Sequence, residues 1–251
     1  MRYIELHLTD HCNLNCVGCS HFSNLAEPYF KSLEEYIEEL MDLSKIDIQT
    51  IRLMGGEPLL HPLWLKFCQV TRMYFPHSEI VLVTNGLLLN KISADERDEL
   101  NSYHIKVCMS NYHLNLNQPS YFGIKETEVH QKGELYNISL DLDGIQDKQK
   151  AFDNCDLHKN HWYFFKDGRI YPCCVMANID IFLNHFGISW DYELDDVSIE
   201  VKGHSETEIE EFLNKPISLC RYCNTIARSQ SKVEWCKSKG EITEWTIKEV
   251  E

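Results

Sequence analysis

Three cysteines in the pattern Cys12-x3-Cys16-x2-Cys19, directly after a strand-like run that ends Thr9-Asp10-His11, constrain this chain more than any other feature. Thiols so spaced on one short loop can converge on a single metal centre. Three ligands for a four-iron cubane leave one iron without a protein ligand and open to another molecule. Zinc or plain buried thiols are the competing readings. Zinc ligands usually come as two pairs, so a lone triplet would have to draw its fourth ligand from elsewhere.

The run before the cysteines alternates, with Arg2, Ile4, Leu6 and Leu8 on one face and Tyr3, Glu5, His7 and Thr9 on the other, which is the period of a strand. Apolar residues at helical spacing follow over Leu33 to Leu43, then a strand from Thr50 to Met54 closed by Gly55-Gly56. A helix is predicted between Pro62 and Phe75, a strand over Glu79 to Thr84, a turn at Asn85-Gly86, and an acidic helix from Ser93 to Leu100. Further strands are predicted at His104 to Ser110 and Leu135 to Asp141, with residues 111 to 133 as a polar loop over the active face. This rhythm predicts α/β structure built from parallel βα units, whose ligands sit beyond the carboxyl ends of the strands.

The strand phases predict a polar lumen lined by Glu5, His7, Arg52, Lys106, Cys108, Ser110, Ser139 and Asp141, the apolar faces being turned to the helices. Among these, Arg52, Lys106, His7 and Asp141 are the titratable candidates for a general base. Ordinary polar networks of a barrel core give the same pattern, and that reading stays open residue by residue.

Beyond a composition break at about Asp141 to Asp156, the pattern changes. Trp162 to Tyr171 reads as two aromatic strands about an Asp167-Gly168 turn, a helix is predicted from Val175 to about Phe186, and another from Ser205 to Leu213. This region carries a second cysteine set: Cys155, Gly168 after twelve residues, Cys173 after four more, and far downstream Cys220-Arg221-Tyr222-Cys223. Four thiolates can close a cage around a second cubane or around zinc. Cys174 and Cys236 are alternative ligands, and Cys68 reads as a small core residue.

The first triplet, followed by Met54-Gly55-Gly56-Glu57-Pro58-Leu59, resembles the radical S-adenosylmethionine (SAM) superfamily. The resemblance implies a partial (β/α)5-6 barrel over residues 1–150 and a [4Fe-4S] cluster on Cys12, Cys16 and Cys19. In such proteins SAM binds the open iron and is cleaved to a 5'-deoxyadenosyl radical. It also implies that Gly55, Gly56, Glu57 and Pro58 hold the methionine end of SAM, the glycines permitting close backbone approach. Asn85 and Ser110, at strand ends, are the expected further SAM contacts. One departure is notable. Where the superfamily usually has an aromatic residue before the third cysteine, this chain has Gly18, so His21 or Phe22 is expected to take over the packing near adenine.

The second set, C-x12-G-x4-C with a later CxxC, resembles the twitch auxiliary-cluster domain, which implies an α+β domain over 151–251 with an auxiliary [4Fe-4S] cluster on Cys155, Cys173, Cys220 and Cys223. The full seven-cysteine SPASM version needs a longer cysteine series than this one. Together the two sets resemble the 2-deoxy-scyllo-inosamine dehydrogenases, and Cys16 to Ser23 resembles radical SAM proteins of surface-sugar clusters. The implied reaction is removal of a hydrogen atom from a hydroxylated carbon of a carbohydrate or aminocyclitol, with the auxiliary cluster taking the second electron. Epimerisation is the alternative, with Cys108 as hydrogen donor, and Arg52 is the other catalytic candidate. Cys236 is the other thiol candidate, and a packed thiol is the plainer reading of Cys108. Peptide modification is weaker, because no peptide-binding segment precedes residue 2. A non-catalytic zinc protein is the reading from another class.

At 251 residues and 43% hydrophobic content the chain has the material for one large domain or a domain with an appendage. Eleven cysteines without an export signal point to metal in a reducing compartment, hence the cytoplasm. A net charge of -15 argues against nucleic acid, and no apolar run suits a membrane span. The expected partners are a small-molecule substrate and a flavodoxin or ferredoxin as electron donor.

Overall fold

A computed structural model describes every residue except Arg2, His113 and 248–251, and only the backbone of Tyr136. The Arg2 position of the first alternation therefore lies outside the described residues. Two compact units emerge, the first formed by Met1–Leu14 with Glu27–Gly133, the second by Asn15–Ala26 with Glu134–Glu251. The division falls at Gly133, earlier than the expected boundary after residue 150, and residues 15–26 go with the later part of the chain.

The first unit holds β1 (Tyr3–Thr9), α1 (Leu33–Leu43), β2 (Thr50–Gly55), α2 (Trp64–Tyr74), β3 (Glu79–Thr84), α3 (Ala94–Ser102), β4 (Ile105–Asn111) and β5 (Thr127–Gln131). Its five strands are parallel and neighbours in sequence order, which is the partial α/β barrel expected. Register explains the stacking. Ile4, Ile51, Ile80 and Ile105 pair in one row, and Leu6, Leu53, Leu82 and Val107 in the next, all at 0–1% exposure. Each such side chain contributes about 1.5–3 kcal/mol by leaving water. Helices α1 and α2 lie together, with Tyr36 Oη and Thr71 Oγ1 2.6 Å apart between them.

Caps set the helix starts. Ser32 accepts from Glu35 N, and Ser93 forms a reciprocal capping box with Glu96.

One strand differs from the sequence reading. The fifth parallel strand is Thr127–Gln131, inside the stretch read as a loop. Its Thr-Glu-Val-His-Gln sequence has one apolar residue, because it is an edge strand that never leaves water completely. The segment read as that strand, Leu135 to Asp141, belongs to the second unit, so Ser139 and Asp141 are not part of the parallel sheet.

The second unit contains β6 (Glu134–Tyr136), α4 (Lys148–Asp153), α5 (Asp156–Lys159), β7 (Tyr163–Lys166), β8 (Arg169–Tyr171), α6 (Cys174–Ala177), α7 (Ile179–Phe186), α8 (Leu194–Val197), β9 (Ile199–Glu200), α9 (Glu206–Leu213), α10 (Thr225–Gln230) and β10 (Lys232–Glu234). Strands β7, β8 and β9 are antiparallel, as are β6 and β10. The hairpin turns at Asp167 and Gly168, with φ of 53° and 73°, the pair of positive angles that a two-residue turn of this kind needs. The single helix predicted from Val175 is two, α6 and α7, interrupted at Asn178. The core of the unit gathers Phe22, Phe164, Phe182 and Trp245, each fully buried. No helix among the described residues is long and apolar enough to cross a membrane.

Candidate functional site

The end of β2 is pressed against the segment that leads into the first cysteine. Gly56 N donates to Thr9 O at 2.6 Å and Glu57 N to His11 O at 2.8 Å. A Cβ on Gly55, whose φ is 141°, would lie 2.2 Å from Thr9 O, and one on Gly56 2.2 Å from His11 O. Only glycine fits at these two positions, which gives the Gly-Gly pair a backbone reason to exist.

Glu57 is 1% exposed, and its carboxylate is occupied within the protein. Oε1 accepts from Thr84 Oγ1 at 2.7 Å and Leu59 N at 3.1 Å, and Oε2 from Asn85 N at 2.7 Å. Burial pushes this carboxyl up to about 7, against the pull of those three donors. The residue caps the Pro58–Leu60 turn and fastens β2 to the end of β3. Asn85 in turn donates through Nδ2 to Asn13 Oδ1 at 2.7 Å, so Glu57, Asn85 and Asn13 form one chain of contacts reaching the residue after Cys12. Asn13 was not legible as a site residue, since nothing in its spacing marks it.

On the polar face of the sheet, Glu5, Arg52, Val81 and Lys106 pair in register, as do Val83, Cys108 and Glu128, with Ser110 opposite His130. Arg52 Nη2 donates to Cys108 Sγ at 3.0 Å. Cys108 is fully buried beside Val81, Val83 and Met54. Its donor atom lies within 4.8 Å of those of Glu128 and His130. Burial raises the Cys108 thiol, with the Arg52 guanidinium opposing. Burial also raises the Glu5 carboxyl, while Lys106 pairs with Glu79 and is held above its ordinary value by that contact. His7 Nε2 lies 2.7 Å from Asp10 Oδ1. Ser110 is 9% exposed near the end of β4.

The cysteine triplet is divided in the chain's packing, Cys12 going with the first unit and Cys16 and Cys19 with the second. Cys16 Sγ accepts from Trp235 Nε1 at 3.2 Å, and burial pushes its thiol up to about 11. Around Cys19, burial raises the thiol while the backbone N–H groups of His21, Phe22 and Ser23 and the Ser23 hydroxyl oppose it. Trp245 Nε1 donates to the Cys19 carbonyl at 3.0 Å. Gly18 has φ 58°, a backbone conformation strained for a residue with a side chain, and a Cβ there would be crowded 3.1 Å from Glu244 O. Of the two expected substitutes, His21 and Phe22, the second sits in the core. Phe22 is fully buried, 5.4 Å from the Phe182 ring and 6.3 Å from the Trp245 ring, so its role is in the core rather than against a ligand.

In the second unit, Cys155, Cys173, Cys220 and Cys223 line one cavity together with His158 and Arg228. Cys155 and Cys173 stand just before α5 and α6, while Cys220 lies within the tight turn Ser218–Tyr222 and Cys223 directly follows it. Arg228 donates through Nε to Ile138 O at 3.0 Å and through Nη2 to Cys223 Sγ at 3.6 Å. Its charge is buried, and the partners that hold its pKa above the ordinary value are the thiols of Cys223, Cys155 and Cys173. Burial raises Cys173 and Cys223 and pushes Cys220 up to about 12. Four cysteines lining one cavity, with the thiols of Cys173, Cys220 and Cys223 made costly to ionise by burial and a buried guanidinium beside them, are a donor set that a metal centre would complete by displacing their protons. Cys174 and the exposed Cys236 do not line this cavity.

A family model described as the radical SAM superfamily matches residues 6–132. Among curated proteins, a GTP 3',8-cyclase of Geobacter sulfurreducens is 34% identical over 100 residues, 39% of this chain and 31% of that protein. One of Desulforamulus reducens is 32% identical over 98 residues, 38% and 30%. The aligned part is therefore less than a third of these relatives. Among solved structures, BtrN in complex with AdoMet and 2-DOIA shares the fold with a TM-score of 0.54 at 18% identity, covering 88% of this chain and 92% of that one. Native anSMEcpe with bound AdoMet and a peptide has a TM-score of 0.50 at 14% identity, covering 91% and 90%.

Proposed function

As the chain belongs to the radical SAM superfamily, we propose that this radical SAM enzyme oxidises a hydroxylated carbon of a carbohydrate or aminocyclitol. SAM and a [4Fe-4S] cluster are its cofactors; when bound they supply the radical that takes a hydrogen atom from substrate, and an auxiliary cluster supplies an acceptor for the second electron. Cys12, Cys16 and Cys19 hold the first cluster. Cys155, Cys173, Cys220 and Cys223 hold the auxiliary one, in the manner of a twitch domain.

The chain's own residues prepare the site. Gly55 and Gly56 bring bare backbone close to the loop before Cys12, and Glu57 and Asn85 fix that backbone from behind. Arg52 and Cys108 face the same side of the sheet as Glu5 and supply charge and hydrogen bonding there.

The observation that carries the oxidising reading is the cavity shared by four cysteines and Arg228. Four protein ligands leave no open iron, which suits electron transfer rather than substrate binding.

The likeness to BtrN, whose structure holds AdoMet and 2-DOIA, supports an aminocyclitol as the first substrate class to try. The cyclase activity named for the curated relatives is not carried over, because the match leaves out more than two thirds of those proteins. Epimerisation through Cys108 is disfavoured by that thiol's complete burial.

The test is the iron, sulfide and zinc content of anaerobically reconstituted protein with Cys12, Cys16 and Cys19 all changed to Ala. About four irons remaining per chain support the auxiliary cubane. Zinc, or no metal, ends the oxidising reading. Substrate is then sought as the sugar or aminocyclitol that accelerates 5'-deoxyadenosine formation by the intact enzyme.

A further inference from the structure

The segment that follows β10 returns to the cysteine loop and pairs with it. Val17 N donates to Cys236 O at 3.1 Å, Ser238 N to Asn15 O at 2.9 Å, and Cys16 stands opposite Lys237 in an antiparallel bridge. Asn15 Nδ2 adds a bond to Ser238 O at 3.3 Å. This pairing fixes the backbone on both sides of Trp235's contact, so the indole N–H is aimed at the Cys16 sulfur rather than left to find it.

We infer that Trp235 is a positioning residue for the cluster on the cysteine triplet, its N–H bond to the Cys16 sulfur favouring the reduced state. A hydrogen bond to a thiolate gains strength as negative charge accumulates on the sulfur, and donors to the sulfurs are among the determinants of cluster potential. Reduction adds that charge, so the bond is worth more after the electron arrives than before. Indole suits the task because it only donates, and it does not titrate in the working range. Trp245, the other tryptophan of this region, bonds the Cys19 carbonyl rather than a sulfur, and so shapes the backbone without acting on charge at the cluster.

The inference rests on Cys16 being a cluster ligand. It is tested on the full chain, reconstituted anaerobically, by redox titration followed by electron paramagnetic resonance, reading the signal that changes when SAM is added. Trp235→Phe keeps the ring and removes the donor. The expected result is an about tenfold smaller equilibrium constant for one-electron reduction, ~59 mV lower in potential, with iron content and the SAM-insensitive signal unchanged. An unaltered potential in an iron-replete variant overturns the inference.

A second measurement decides the matter even if that variant fails to hold iron. With the indole nitrogens labelled by 15N, the reduced wild-type cluster should show a 15N coupling in pulsed spectra, and its absence overturns the assignment. If the wild type gives no SAM-responsive signal at all, the ligand reading itself falls, and the inference with it.

Discussion

Asn85 N donates to Glu57 Oε2 at 2.7 Å, so the first residue after β3 is pinned by the acidic residue that follows β2. The bond ties two strand ends and, through Asn13, the start of the cysteine loop. It also places a carboxyl pushed up to about 7 at the centre of the arrangement.

A pH dependence follows from that carboxyl. Its folded value lies above the unfolded 4.5, so between 4.5 and about 7 the native state holds the extra proton. Its contribution to stability is complete below 4.5 and is lost as pH rises through about 7, about 3 kcal/mol in all. Urea denaturation across pH 5 to 8 should show this component in the wild type and not in Glu57→Gln. The variant also loses about 1–3 kcal/mol at any pH, because Asn85 N is left facing an amide donor. Equal slopes in the two proteins would refute the assignment.

Gly56→Ala should destabilise the first unit by about 3 kcal/mol, since the added methyl must displace the His11 carbonyl. SAM affinity, measured by equilibrium dialysis on folded protein at low temperature, should fall in parallel. A variant with unchanged melting and unchanged affinity would show that the close approach is dispensable.

Cys108→Ala separates oxidation from epimerisation. Under the oxidising reading, substrate-dependent formation of 5'-deoxyadenosine persists within a few-fold of wild type, and stability drops by about 1–2 kcal/mol from the small cavity and the lost Arg52 partner. A variant that still consumes SAM but forms no product would restore the thiol as hydrogen donor.

Arg228→Met should remove the counter-charge of the four-cysteine cavity. Breaking a buried charge pairing costs about 3–5 kcal/mol, and iron per chain is expected to fall by about four. Arg228→Lys keeps a cation and should retain most of that iron. Full iron retention by the Met variant would mean that the thiolates need no internal cation.

Much of this arrangement is readable from residue order because it rests on local physics. The rows Ile4–Ile51–Ile80–Ile105 and Leu6–Leu53–Leu82–Val107 follow from period-two alternation, and the Ser93 and Ser205 helix starts follow from their capping boxes. The turn at Asp167-Gly168 is announced by its own residues. Thr127–Gln131 escaped notice because an edge strand with one valine looks like a loop. Ile138 and Leu140 suggested a barrel strand, yet they are buried in the second unit's core; alternation reports that a side chain is buried, not which core buries it. The same ambiguity made Phe22 look available. The bonds from Trp235 and Trp245 span 219 and 226 residues, and no spacing rule encodes contacts at that range.

Those long spans carry a consequence for biosynthesis. A ribosome delivers Cys16 and Cys19 first, and the indoles that bond them emerge 219 and 226 residues later. Half of the cysteine loop thus waits, incompletely dressed, while the residues in between are made. Delivery of iron and sulfide before those residues emerge would act on an unfinished loop, so cluster assembly is expected to follow the synthesis of Trp235 and Trp245.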